Sequence, residues 1–281
     1  PSVTALRALN PALPVLALNY LDGELPADNF IQFGLAIEDE ATTIAQRLQR
    51  DGISRALLFH NYDDWSLRAR RTLSNSAEEG KRLELTIQPF TDLRTITESV
   101  GAAMHVAGSQ TRREELARLL GEELEFLPRA REDVEAVVAL VDNTEANALV
   151  PALRFHFASH LPVYASSQTT RRARAGSLTE LSGFHVSELP YFLAGDPVFA
   201  SLVNPFDLRN NPFASLIALG SDAFRVAERL EPQGHLLLIG STGLLRQQAD
   251  GRISRELAWG TISGGAVRGS ATQDALVGAD D

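Results

Sequence analysis

The stretch from Leu124 to Ser167, LEFLPRAREDVEAVVALVDNTEANALVPALRFHFASHLPVYASS, constrains the fold of this chain more than any other. A charged loop containing Pro128, Arg129, Arg131, Glu132 and Asp133 leads into a nearly unbroken apolar run from Val134 to Val141. A helix follows, then the short segment LPVYASS. A strand apolar on both faces is what a parallel sheet covered by helices requires. The stretch therefore reads as one complete strand, helix, strand unit and assigns the chain to the α/β class.

The same alternation runs along the rest of the chain. Strands are predicted at Pro14–Leu18, Arg55–His60, LELTIQPF (83–90) and GFHVSEL (183–189). A helix should place Ile37, Ala41, Ile44, Ala45 and Leu48 on one face, with Glu38, Asp39 and Glu40 at its positive N-terminal end. Trp65, Ala69, Leu73 and Ala77 recur every four residues up to Gly80, with Asp63 or Asp64 as cap. Thr91–Ala107 is expected to be helical, and Ser109 to cap another helix. Asn143 is expected to cap a helix whose Ala146, Leu149, Leu153 and Phe157 face the core and which Pro151 kinks or divides. Phe213–Leu230 reads as a long helix with Leu216, Ile217, Gly220, Phe224, Ala227 and Leu230 inward. Such alternation means a doubly wound α/β fold.

The ending changes character. GLLRQQADGRISRELAW alternates apolar and polar residues around Asp250-Gly251, which predicts a hairpin with a type I′ turn. Beyond Trp259 the chain turns to Gly, Ser, Ala and Asp, and residues 263–281 are expected to be a largely disordered tail.

Composition narrows the function. A chain of 281 residues, 44% hydrophobic and 22% charged, has the makeup of a globular protein of one large domain or two lobes. A net charge of -10 argues against nucleic acid as a partner, because that needs a basic face to displace counterions from phosphate. Without cysteine there is no disulfide, thiolate nucleophile or Cys-ligated zinc. Lys81 is the only lysine, which removes lysine Schiff-base chemistry and Walker-type phosphate loops. No apolar run reaches the roughly 18 residues of a membrane span. The opening PSVTALRALNPALPVLALNY lacks the basic and apolar regions of a signal peptide.

Candidate chemistry is sparse. His156 and His160 could share a helix face, yet the glutamate of an H-E-x-x-H zinc site is absent. GSTG at Gly240–Gly243 lacks the GK[ST] ending of a phosphate loop and reads as a turn entering the hairpin. Neither Ser221 nor Ser241 lies in a G-x-S-x-G elbow, so no catalytic residue, metal or cofactor is expected. Ligands of α/β sheets collect beyond the carboxyl ends of strands, which here means Asn19, Tyr20, His60 to Tyr62, Asp142, Ser166 and Ser167. Arg171, Arg172 and Arg174 form a basic cluster in an acidic protein, a candidate patch for an anionic partner.

Five segments together carry a family resemblance: FIQFGLAIEDEA, PRAREDVEAVVALVDNTEANALVPALRFHFASHLPVYASS, LTELSGFHVSELPYFL, LIALGSDAFRVAERL and DGRISRELAWGTISGG. In this order they resemble the C-terminal domain of the LppC family, outer-membrane lipoproteins that activate penicillin-binding proteins. The resemblance covers about residue 12 to 265. It implies a two-lobed fold like type I periplasmic binding proteins, with the first lobe incomplete. QFGLAIEDE would be the first crossing; residues 1–36 and 189–262 would belong to lobe 1 and 37–188 to lobe 2. The family's signal peptide, lipid-bearing cysteine and N-terminal helical-repeat domain do not occur in this sequence, which is expected to be a truncated form.

The resemblance further implies a non-enzymatic periplasmic regulator, lipid-anchored to the outer membrane in full-length relatives. It would bind a class A penicillin-binding protein, a bifunctional peptidoglycan synthase, and stimulate peptidoglycan synthesis, with peptidoglycan itself a further candidate partner. The exposed segment HNYDDW (60–65) and the Arg171–Arg174 loop are candidate contacts. The alternative is a periplasmic receptor for a small amino-acid-like ligand. Ser166, Ser167 and Glu188 would then imitate the hydroxyls and the acid that hold a zwitterion.

Overall fold

The computed structural model describes residues 13–20, 29–80, 82–104, 131, 133–174, 176–193, 211–229 and 236–269. Outside these lie, among others, Gly23, Pro26, Lys81, Ser109 and the helix expected after it, the charged stretch before Arg131, Glu132, Leu230 and residues 270–281. The strands are β1 (Val15–Ala17), β2 (Phe30–Phe33), β3 (Arg55–His60), β4 (Glu84–Pro89), β5 (Ala136–Leu140), β6 (Val163–Ala165), β7 (His185–Glu188), β8 (Leu237–Ile239), β9 (Leu244–Gln247), β10 (Arg252–Glu256), β11 (Ala258–Ser263) and β12 (Ala266–Gly269). The helices are α1 (Ile37–Arg50), α2 (Asp64–Gly80), α3 (Ile96–Ala103), α4 (Asn143–Phe155) and α5 (Ala214–Ala227). The chain divides into two compact units, one of residues 1–43, 187–260 and 267–281, the other of 44–186 and 261–266.

The second unit contains β3, β4, β5, β6 and the start of β7, which form the run β7-β6-β5-β3-β4 of the seven-stranded sheet, parallel throughout. All five residues of β5 are buried, and β3 exposes only Arg55. This two-sided burial is why the sequence there reads as an unbroken apolar run. Helix α2 packs against β3, β4 and β5, and α3 packs against β4 and α4. The predicted face of α1 is buried at all five positions. In α2, Ala69, Leu73 and Ala77 are buried as predicted, but Trp65 is only half-buried. Ser66 is buried beside it, and its hydroxyl donates to the Leu140 carbonyl at 2.8 Å.

Helix α4 is capped by Asp142 rather than Asn143. The Asp142 carboxylate accepts the Glu145 N–H at 2.8 Å and the Glu145 carboxylate accepts the Asp142 N–H at 2.9 Å, a reciprocal capping box. Pro151 lies on the exposed side and does not divide the helix. Phe157 is exposed, not in the core, because the helix has already ended. Its φ of 59° occupies the left-handed position of a closing turn in which the Ala158 N–H donates to the Leu153 carbonyl. Helix α3 is shorter than the expected Thr91–Ala107. The Thr95 hydroxyl accepts from the Thr91 and Asp92 N–H groups and Asp92 accepts from Arg94, so 91–95 form a side-chain-held turn instead.

The first unit contains the sheet ordered β1-β2-β10-β9-β8. Strands β1, β2 and β10 are parallel; β9 runs antiparallel to both β10 and β8. Sequence periodicity did not single out β2 as a strand. Its four residues, FIQF, are all buried and pair on both sides. Its core joins Ile31, Phe33, Leu238, Leu245 and Ile253 of the sheet to Leu219, Ala223 and Val226 of α5. The predicted inward face of α5 is thereby corrected: Leu216 (57%) and Phe224 (66%) are exposed, and Ala214, Ala218, Leu219, Asp222, Ala223 and Val226 are buried. The helical period was read correctly and its phase was not, since α5 is apolar on more than one side.

The two hairpins at the end also redistribute the turn assignments. At Asp250-Gly251 only the glycine has positive φ (76°), and Gly251 N–H donates to Gln248 O while Gln248 N–H donates to Arg252 O. This is an ordinary turn followed by a left-handed glycine, not type I′. The two-residue turn with both φ positive lies instead at Gly264 and Gly265 (60° and 75°), joining β11 to β12. Ordered structure therefore continues through Gly269. This overturns the expected disorder for residues 263–269, where the turn pattern of Gly-Gly closes a hairpin.

A buried cation secures the first unit. The Arg255 guanidinium is fully buried; Nε donates to Asp39 at 3.0 Å, Nη2 to Ala36 O at 2.9 Å and Nη1 to Thr242 O at 3.4 Å. It thus ties the start of α1 and the 240–243 loop to β10. Removing one partner of a buried pair leaves the other charge uncompensated. Arg255→Ala should lower stability by about 3–5 kcal/mol, read as an earlier denaturant midpoint for this unit; a loss below about 1 kcal/mol would show that the pair contributes no more than a surface bridge. Burial pushes Asp39 up to about 6, with the neighbouring guanidinium pulling the other way. A carboxyl raised above its unfolded value of 3.8 adds stability that is complete below that value and is lost as pH rises through 6. Between those limits the wild type should lose stability relative to Asp39→Asn as pH rises, measured as diverging thermal midpoints; parallel pH profiles would contradict it.

Candidate functional site

The residues expected at strand ends divide between the two units. Asn19, Tyr20 and Glu188 belong to the first; His60, Tyr62, Ser166 and Ser167 belong to the second.

In the first unit Asn19 is exposed and its side-chain oxygen accepts the Tyr20 N–H. The Tyr20 hydroxyl donates to Ile253 O at 2.7 Å, and the Arg252 guanidinium lies 5.8 Å from its ring centre. Burial first, then the Asp39 charge, pushes this phenol above its ordinary range, so it remains a donor. Glu188 is buried, with one carboxylate oxygen accepting the Leu189 N–H at 2.9 Å. These contacts give all three residues structural employment.

The GSTG turn is also structural. The buried Asp222 carboxylate accepts the Ser241 N–H (2.8 Å), the Thr242 N–H (2.7 Å) and the Thr242 hydroxyl (2.7 Å). The amides that a phosphate would need are thus already taken by a carboxylate of the protein. A Cβ at Gly240 would lie 2.5 Å from Asp222 Oδ2, so this approach requires glycine.

In the second unit, β5 lies between β3 and β6, so His60 and Ser166 sit at the same carboxyl end of the sheet. The His60 Nδ1 lies 2.7 Å from Asn61 O; a carbonyl only accepts, so Nδ1 carries the proton. Burial holds this imidazole below its ordinary range. Tyr62 is exposed and meets the His60 ring edge to face at 6.0 Å.

Between them runs a network that sequence inspection overlooked. The Asn61 amide donates to both Glu145 oxygens (2.9 and 3.0 Å) and to Asp63 (3.2 Å). The Asn143 amide donates to Thr169 O at 3.0 Å, and the Thr169 hydroxyl donates to Val141 O at 2.9 Å. Burial raises the Glu145 carboxyl, opposed by the Asn61 hydrogen bond. The D-x-x-E spacing of Asp142 and Glu145 was a legible signal for half of this network. The Asn61 and Thr169 partners are too distant in sequence to be seen. Ser166 is fully buried, and its hydroxyl makes no hydrogen bond.

His156 and His160 do not form a shared face. The His156 Nε2 lies 2.9 Å from Thr97 O, and the His160 Nδ1 lies 3.1 Å from Phe157 O, so each ring is engaged by a different carbonyl. Arg171 is half-buried, and Arg172 and Arg174 are exposed on the loop after Thr170. Chemically, these strand-end groups offer hydrogen-bond donors and acceptors fixed to the backbone.

Comparison with known proteins agrees with this architecture. The penicillin-binding protein activator LpoA of Vibrio antiquarius is 26% identical over 262 residues, covering 90% of this chain and 43% of that protein. LpoA of Vibrio cholerae is 23% identical over 253 residues, covering 88% of this chain and 42% of that protein. The chain thus spans less than half the length of these relatives. Among solved structures, the C-domain of Haemophilus influenzae LpoA, described as a regulator of PBP1A, superposes with a TM-score of 0.70 at 18% identity, over 96% of this chain and 80% of that one. A Chromobacterium violaceum "putative branched-chain amino acid ABC transporter" gives a TM-score of 0.63 at 23% identity, over 90% of this chain and 75% of that one. The fold is therefore the α/β fold of periplasmic-binding-protein-like receptors. The family model "LppC putative lipoprotein" matches residues 3–265, and this chain belongs to that family.

Proposed function

We propose that this chain is the regulatory C-domain of an activator that binds a class A penicillin-binding protein and stimulates its peptidoglycan synthesis without itself catalysing a reaction. The observation that carries this reading is the family match across residues 3–265, together with relatives named as penicillin-binding protein activators along nearly the whole chain. The geometry is compatible with it: several polar groups at the sheet ends, among them Asn61, Asp142, Glu145 and Thr169, are employed in capping helices and pinning loops. An activator needs no reacting group. It needs only to bind the active conformation of its target better than the inactive one, and a tenfold shift takes about 1.4 kcal/mol of differential binding. The protein would act in the periplasm, held to the outer membrane by lipid, as its lipoprotein family suggests.

One observation supports a second reading, a receptor for a small amino-acid-like ligand. Ser166 places a buried hydroxyl without a hydrogen bond at the carboxyl end of β6, where α/β receptors bind ligands. A single comparison separates the two. Glycan polymerisation and crosslinking by the cognate synthase should rise when this protein is added, and amino acids should not shift its melting temperature. A synthase that neither binds nor responds, alongside stabilisation by several degrees on adding an amino acid, would reverse the assignment.

A further inference from the structure

We infer that the loop Arg171–Arg174 is the cationic contact through which this chain meets an acidic surface of the synthase; the inference rests on the activator reading above. The base of the loop is fixed. Ser167 and Thr169 are fully buried, Thr169 is held to β5 and α4 through Val141 O and Asn143, and the Thr170 hydroxyl and the Arg171 N–H both donate to Ser167 O at 2.9 Å. Arg172 and Arg174 project from that base into solvent.

Their electrostatic situation differs from that of several other arginines in the chain. Arg47, Arg68, Arg131, Arg252 and Arg255 each lie within 4 Å of an aspartate. Neither Arg172 nor Arg174 forms an ion pair among the described residues. In a chain of net charge -10 this loop is a local reversal of sign. Fixed, exposed guanidiniums steer a carboxylate-rich surface during encounter and can grip its carboxylates in bidentate fashion. Both project outward instead of enclosing a small anion, which favours an extended acidic surface over a free ion.

The backbone supplies an independent observation. Arg172 has φ of 55°, and only one other described non-glycine residue, Phe157, has a positive φ. A glycine would hold this left-handed position at lower cost, and arginine has no short polar group to stabilise it locally. The side chain there offsets a folding disadvantage, which fits a residue retained for its charge.

The test is association kinetics with the immobilised cognate synthase at low and high ionic strength. Arg172→Glu/Arg174→Glu should slow association by about tenfold at low salt and flatten its salt dependence, with the dissociation rate little changed. Arg172→Gly, which relieves the backbone, should keep or raise the melting temperature while slowing association. Wild-type association rate and salt slope in the double variant would overturn the inference and leave the activator reading standing. A defect confined to binding purified sacculi, with synthase association unchanged, would overturn it too. Failure of the unsubstituted chain to bind the synthase would remove the activator reading and this inference with it.

Discussion

Two-sided burial of β5 is the constraint on which the second unit depends. A strand apolar on both faces has no water to satisfy the backbone where the ladder ends, so side chains from the following loops must do it. Ser66 donates to Leu140 O, Thr169 donates to Val141 O, and Asp142 with Glu145 closes the first turn of α4. Each bond that solves the strand's problem also fixes a loop. The 166–170 segment is held because β5 needs its hydroxyl, and the arginines that follow are presented from a rigid base as a by-product.

The first unit meets a different version of the same difficulty. Its sheet is mixed, and its buried polar groups include ionisable side chains. Arg255 gathers Asp39, Ala36 O and Thr242 O, and Asp222 gathers the amides of Ser241 and Thr242. The two charged centres meet at Thr242: its carbonyl faces the guanidinium and its amide and hydroxyl face the carboxylate. A four-residue glycine-rich turn is in this way made as specific as a strand. Such centres contribute little net stability compared with an apolar core, yet they strongly penalise any arrangement that leaves one member alone.

What could be read from the sequence follows the same physics. The β5 run and the α1 face were legible because burial on a known face imposes a local period. The α5 phase was not, because Leu216 and Phe224 are as apolar as Leu219 and Val226, and only the sheet decides which pair it covers. The hairpin at Asp250 was correctly located but given the wrong turn, since an Asp-Gly pair permits type I′ without requiring it; Gly264-Gly265 has no side chains to object. Of the candidate site, strand-end positions such as His60 and Ser166 were legible from the α/β pattern. The Asn61–Glu145 and Asn143–Thr169 bonds join residues far apart in sequence, and no local pattern encodes them.

The two left-handed non-glycine residues among those described sharpen the distinction between fold and function. Phe157 closes α4, and its ring is exposed although the helix pattern would have placed it in the core; Arg172 interrupts a pinned loop, and its guanidinium is exposed and unpaired among the described residues. A sequence selected for stability alone would drift toward glycine or asparagine at both positions. A core residue explains itself through what it touches within the chain, whereas a strained exposed residue such as Arg172, which closes no helix, invites an explanation in what it meets outside it. In the regulator proposed above, with many polar groups consumed in holding its own backbone, the inferred partner contact falls at such a position, where periodicity and propensity carry no information.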